Sequence, residues 1–183
     1  MNDLSEKAVT LPFGMTIAGT GMYVPEKVLR NADLEKMVDT SDEWIVQRTG
    51  IRERRIVAEQ QGVVDMATRA MRDALNHAGI APEQLDLLVV ATMTPDMVCP
   101  SASCQIVAAL EAGHCGAMDI SVACTGFVAA LNTAANFIAS GRYNTVGVVG
   151  AEVLSAMTNY EDRGTCILFG DGAGAAVIQR VDD

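Results

Sequence analysis

The stretch that most limits what this chain can fold into is Ala117–Ser140, AMDISVACTGFVAALNTAANFIAS. An apolar run of strand length, Ala117 to Val122, passes directly into an apolar run of helical length, with Cys124 where the helix is expected to begin. The junction is chemically privileged. The first N–H groups of a helix lack intrahelical partners and the macrodipole adds partial positive charge there, so a thiol at that point is biased toward its nucleophilic anion. The same N–H groups can hold the oxyanion formed when sulfur attacks a carbonyl. A free cysteine is more commonly a small buried hydrophobe, and position alone does not choose between these roles.

Composition narrows the class. The chain has 183 residues, 50% of them hydrophobic and only 4% aromatic, with Ala, Val, Gly and Met in bulk. That is enough for one sizeable core, or for part of a larger one, and small side chains suit helices lying flat on a sheet. The formal net charge of −10 argues against general binding to nucleic acid or anionic membrane, so an anionic ligand needs a local basic patch. No apolar run is long enough to span a bilayer, and the N-terminal MNDLSEKAVTLPFG lacks the apolar core of a signal peptide. The expectation is a cytoplasmic protein with a short extension over residues 1–14. Five cysteines at irregular spacing do not form a disulfide framework, and Cys99, Cys104, His114 and Cys115 lack a paired Cys-x-x-Cys knuckle, so no metal is expected.

In order along the chain, Met15–Val24 reads as a strand ended by Pro25. Asn31 is the expected cap of a short helix over Ala32–Val38, and Thr40–Gly50 reads as a capped helical turn closed by glycine and carrying the only tryptophan, Trp44. Arg48, Arg52, Arg54 and Arg55 then fall within eight positions of an acidic chain. Such runs are usually solvated edges, but Trp44 near Arg48 offers stacking plus charge, which a nucleotide with phosphates requires. Val63–Gly79 is an amphipathic helix that carries His77 in a structural role, and Leu85–Thr92 is a buried strand. A loop with Pro95 and Pro100 leads to a helix over Ala102–Ala112. The strand Ala117–Val122, the helix Cys124–Ser140 and a buried strand Thr145–Gly150 follow. The end reads as two strand-like runs, Thr165–Gly170 and Ala173–Val181, joined in a tight hairpin at Gly170-Asp171-Gly172. The glycine pattern there lacks the following helix that a dinucleotide loop needs.

Four segments together, NADLEKMVDTSDEWIVQRTGIRERRI, CPSASCQI, ACTGF and DRGT…LFGDGAGAAV, resemble β-ketoacyl-acyl-carrier-protein synthase III, the condensing enzyme that begins type II fatty-acid synthesis. The resemblance runs from about Thr16 to Val181. It implies an α/β, thiolase-like fold in which this chain is one half, a five-stranded mixed sheet with helices on both faces, over residues 15–183. The first half would pair with a second, similar half. By the same resemblance Cys124 takes an acyl group from acyl-coenzyme A, Trp44 and Arg163 sandwich the adenine, Arg48 meets the phosphates, and Thr40 and Thr49 help shape that site. No cofactor is held permanently, and acyl-coenzyme A is a substrate.

Two departures shape the expectation. Where many members place a bulky aromatic before the proline, reaching across a homodimer to bound the acyl pocket, this chain has Cys99. The histidine and asparagine that in the family bind malonyl-acyl-carrier-protein and promote decarboxylation belong to the second half, and neither His77 nor His114 falls in a matching motif. A second polypeptide carrying that half is therefore expected. Two alternatives stand beside the condensing enzyme: a related acyltransferase of specialised metabolism, and a non-catalytic subunit that only pairs.

Overall fold

The computed structural model describes residues 13–181, so residues 1–12 of the expected extension lie outside the described residues. A five-stranded mixed sheet organises the chain, built from β1 (Gly14–Tyr23), β4 (Leu87–Ala91), β5 (Gly116–Ile120), β6 (Thr145–Val153) and β7 (Asp171–Val181). The intervening elements are β2 (Lys27–Arg30), α1 (Asn31–Leu34), α2 (Asp42–Thr49), β3 (Glu53–Ile56), α3 (Val63–Ala78), α4 (Ala102–Leu110) and α5 (Gly126–Ala139). The strand order is β1-β7-β6-β4-β5, with β4 parallel to β5 and β6, and β7 antiparallel to β6 and β1.

The central strand explains the layering. Every residue of β4 is buried, and successive strand side chains point to opposite faces, so both faces need apolar cover. Leu88 and Val90 join the core beneath α3 and α4, with Met66, Ala70, Met71 and Ile106. Leu87, Val89 and Ala91 join the opposite core beneath α5, with Ala130, Ala134 and Ile138. Each such aliphatic side chain contributes roughly 1.5–3 kcal/mol when fully buried, so the two cores dominate stability. Helix α3 lies directly on β1. A Cβ added at Gly19 would sit 2.4 Å from the Ala74 carbonyl oxygen, and one at Gly21 2.3 Å from that of Ala70, so any side chain there would push the helix off the strand. His77 fastens the same contact, its Nδ1 lying 3.2 Å from the Thr20 nitrogen, which is the structural role expected of it.

The sequence reading fails where polar side chains override local pattern. The arginine-rich run is no solvated edge throughout: Glu53–Ile56 pairs antiparallel with Lys27–Arg30 as a two-stranded ribbon, and Arg54 is only 3% exposed. Asn31 does not cap α1 but is its first residue. Its side chain is buried, donates to Asp42 Oδ1 at 2.7 Å and to the Ile51 carbonyl at 2.9 Å, and accepts from Arg54 Nη1.

Thr165–Gly170 is not a strand and there is no hairpin at Gly170-Asp171-Gly172. Residues 160–168 form consecutive turns, because Asp162 draws the chain round itself: its carboxylate accepts the Gly164 N–H at 2.8 Å and the Thr165 hydroxyl at 2.7 Å. Asp171 instead opens β7. It is buried and accepts the Val57 N–H, the Ser155 N–H and the Ser155 hydroxyl at 2.8, 2.8 and 2.6 Å. A third, smaller core, Leu34, Ile45, Cys166 and Ile167, binds α1, α2 and this turn together.

Candidate active site

Cys124 stands just beyond β5 on a single 3-10 turn, Ala123–Thr125, and is exposed to solvent. The α-helix proper starts at Gly126, two residues later than the sequence suggested, so the thiol precedes the helix rather than opening it. Ala123 takes φ = 52°, a left-handed conformation that costs a residue with a Cβ about 1–3 kcal/mol and persists only where its surroundings hold it. Three contacts do so. Thr125 Oγ1 donates to the Val122 carbonyl at 2.9 Å, and the Gly126 N–H returns to the Ala123 carbonyl. A Cβ on Gly126 would approach the Ala91 Cβ to 3.0 Å, so the head of α5 is seated on the end of β4. The outcome is an exposed thiol beyond the carboxyl end of a parallel strand, just ahead of the positive end of a 14-residue helix.

The second constellation assembles around Trp44. Ser41 caps α2, its hydroxyl accepting the Trp44 N–H at 3.1 Å, and the indole leans on the third core. Two guanidinium groups lie over the ring: Arg48 Cζ at 4.2 Å and Arg163 Cζ at 4.8 Å from the ring centroid. Both distances are within cation–π range. Arg163 comes from the Asp162 turn, more than a hundred residues along the chain, and donates to the Asp39 carbonyl at 2.9 Å. Thr40 lies next to Asp39, and its hydroxyl oxygen is buried without a hydrogen-bond partner. Thr49 differs: its hydroxyl donates to the Ile45 carbonyl at 2.8 Å and accepts the Ile51 N–H at 3.0 Å, closing α2. Trp44, Arg48 and Arg163 are thus drawn together, Thr40 is their neighbour in the chain through Asp39 and Ser41, and Cys124 stands on a separate element.

Several supporting residues escaped the sequence reading. Arg54 donates through Nε to the Ile167 carbonyl at 3.0 Å and through Nη2 to the same oxygen, pinning the Arg163 turn to the ribbon. Asp162 fixes the turn itself, and its hydrogen bonds from Thr165 and Gly164 hold its carboxyl below the usual range. The pattern Asp-x-Gly-Thr was the available signal for that turn; nothing local announces the burial of Arg54. Two other thiols are disfavoured as anions: burial pushes the Cys115 thiol up to about 11 and raises that of Cys166. Two cavities adjoin the chain that follows β6. One of about 300 Å³ is lined by Leu154, Met157, Thr158, Asn159, Thr165 and Phe169, and the other, about 350 Å³, has Met93, Thr94, Val153 and Met157 among its walls.

Known proteins share both fold and sequence with this chain. The profile of the 3-oxoacyl-[acyl-carrier-protein (ACP)] synthase III family matches residues 118–183. The β-ketoacyl-[acyl-carrier-protein] synthase III of Caldanaerobacter subterraneus subsp. tengcongensis is 56% identical over 166 residues, which are 91% of this chain and 50% of that protein. The crystal structure of 3-oxoacyl-[acyl-carrier-protein] synthase III from Aquifex aeolicus superposes with a TM-score of 0.91 at 54% identity, over 93% of this chain and 55% of that one. The priming β-ketosynthase of the R1128 polyketide biosynthetic pathway superposes equally well, with a TM-score of 0.91 at 38% identity, over 97% of this chain and 54% of that one.

The fold is that of the thiolase-like condensing enzymes. Within that class the chain is related to β-ketoacyl-acyl-carrier-protein synthase III, and it spans about half the length of the curated relatives it matches.

Proposed function

We propose that this chain supplies the nucleophile and the coenzyme A platform of a synthase III-type condensing enzyme of fatty-acid initiation. The observation that carries the reading is the exposed Cys124 on its held turn at the head of α5. Its thiolate attacks the carbonyl carbon of acyl-coenzyme A; the tetrahedral oxyanion is held by backbone N–H groups at the head of the helix and collapses with expulsion of the coenzyme A thiolate. Malonyl-acyl-carrier-protein then loses carbon dioxide, its carbanion attacks the acyl-Cys124 carbonyl, and the Cys124 thiolate leaves, giving 3-oxoacyl-acyl-carrier-protein. In the resemblance, the histidine and asparagine that promote decarboxylation lie in the half of the fold that this sequence does not span, and two complete units form a homodimer.

For the coenzyme, the adenine enters between Trp44 and Arg163, Arg48 meets phosphate, and Thr40 and Thr49 help shape the site. Arg163 at 4.8 Å from the indole leaves less than the roughly 7 Å that an intercalated ring needs. Arg163 therefore swings outward as the base enters. Cys99 in place of a bulky aromatic favours a roomier acyl pocket, which keeps the specialised-metabolite acyltransferase as a second reading.

Intact mass spectrometry of the complete two-halved protein after acetyl-coenzyme A, with peptide mapping, tests this. An acetyl increment on Cys124, absent in Cys124→Ala, is expected, and Trp44→Ala should weaken coenzyme A binding at least tenfold without preventing alkylation of Cys124 by iodoacetamide. Failure of Cys124 to acylate overturns the reading in favour of a pairing subunit.

A further inference from the structure

Helices α2, α4 and α5 each begin after a hydroxyl residue, and two of those hydroxyls do what the position favours. Ser41 before α2 and Ser101 before α4 accept the backbone N–H of the third helical residue, Trp44 at 3.1 Å and Cys104 at 3.3 Å. Thr125 before α5 does the reverse. Its backbone takes φ = −88° and ψ = 0°, not the extended form that brings a cap oxygen over the helix, and its side chain caps nothing. The Thr125 hydroxyl instead donates backwards past Cys124 to the Val122 carbonyl at 2.9 Å.

Two consequences meet at Cys124. The peptide between Val122 and Ala123 is pinned at its carbonyl by that hydroxyl, and the next peptide, which carries the Cys124 N–H, is pinned at its carbonyl by the Gly126 N–H. Ala123 lies between the two pins, and together they hold its φ at 52°. A left-handed alanine relaxes when either pin is released, because the strain and the hydrogen bond that opposes it are of the same order. The second consequence concerns the helix. With the Thr125 hydroxyl turned away, the cap residue's side chain leaves the first N–H groups of α5 open to an oxyanion. We infer that Thr125 is a positioning residue, whose hydroxyl holds the left-handed turn that presents Cys124 and, in doing so, keeps the head of α5 uncapped. The inference rests on the acyl-transfer reading of Cys124.

The experiment compares Thr125→Val, which keeps the branched shape and loses the donor, with Thr125→Ser, which keeps the donor, in the complete two-halved protein. Acylation of Cys124 by acetyl-coenzyme A and its alkylation by iodoacetamide are both followed by peptide mapping. Thr125→Val should lower the maximal rate of acylation at least tenfold, while the half-saturating concentration of acetyl-coenzyme A stays within twofold of the parent. The pH midpoint of alkylation should rise in the same variant, because the thiol moves off the positive end of the helix. Thr125→Ser should keep every value within twofold of the parent. A second substitution tests the cause: glycine takes a positive φ without penalty, so on an Ala123→Gly background Thr125→Val should cost less than threefold. A parental rate in Thr125→Val, a loss in Thr125→Ser as large as in Thr125→Val, or an undiminished cost on the glycine background overturns the inference. Should Thr125→Val fail to fold by circular dichroism, Thr125→Ala replaces it under the same criteria. A parent that is alkylated at Cys124 but takes no acetyl group refutes the acyl-transfer reading itself, and the pH midpoint of alkylation then decides whether Thr125 holds the turn.

Discussion

The turn that bears Cys124 and the platform around Trp44 are held by different forces. The turn joins β5, an edge strand laddered to β4, to α5, whose inner face packs into an aliphatic core. The platform is put together from α2 and the turn around Arg163, segments far apart in sequence, by a small core and a few polar side chains: Asn31, Arg54, Asp162 and Ser41. A nucleophile needs a fixed position, and dense apolar packing supplies it. A ligand platform has to admit and release a flat ring, and hydrogen bonds on a small core allow that at lower local stability. The two regions should therefore respond to different perturbations.

The largest expected separation comes from the cores. Leu88→Ala removes a fully buried side chain from beneath α3 and α4 and should cost about 2–5 kcal/mol in urea unfolding, with loss of the whole transition rather than of the platform alone. Arg54→Met should cost a comparable amount, about 1–3 kcal/mol for each of the two acceptors it strands, since the Ile167 carbonyl and Asn31 Oδ1 both lose their donor. Its effect should be local: Trp44 fluorescence shifts and coenzyme A binding weakens, while the reaction of Cys124 with iodoacetamide keeps its parental rate. Equal damage to both sites by Arg54→Met would break the comparison and make the protein one cooperative unit.

The same division explains what could be read from the sequence. The sheet, its helices and both faces were legible because burial there follows periodicity: β4 is continuously apolar, α3 repeats at three and four residues, and Gly79 ends the helix with φ = 70°. The Cys124 turn was legible to within two residues, since a 3-10 turn and a helix start carry the same local signal. The meeting of Trp44, Arg48 and Arg163 was legible in the sequence and its resemblance, but the supports of that cluster were not. Arg54 sits in a run of charges that pattern alone assigns to solvent, and only the Ile167 carbonyl, 113 residues away, explains its burial. Thr165–Gly170 reads as a strand until Asp162 is seen to claim the two donors that follow it.

A smaller effect sharpens the comparison through pH. The Asp162 carboxyl is held below its ordinary value by the Thr165 hydroxyl and the Gly164 N–H, so it binds its proton less readily in the folded turn than in an open one. The sign follows: the turn is fully supported above the ordinary aspartate value of about 3.9, and that support is lost as pH falls through the lower folded value. Because Asp162 carries Arg163 to the indole, and Trp44 is the only tryptophan, fluorescence should report the loss directly. As pH falls below about 3.9 the signal should change while far-ultraviolet circular dichroism, dominated by the sheet and long helices, holds steady. Asp33, lowered chiefly by the Arg30 N–H, titrates in the same window, but it caps α1 and has no contact with the indole among the bonds described. Asp162→Asn should therefore abolish the fluorescence step, giving at pH 7 the signal that the parent reaches only in acid. A step that survives in Asp162→Asn would mean that the platform is held through α1 and the third core instead of through its turn.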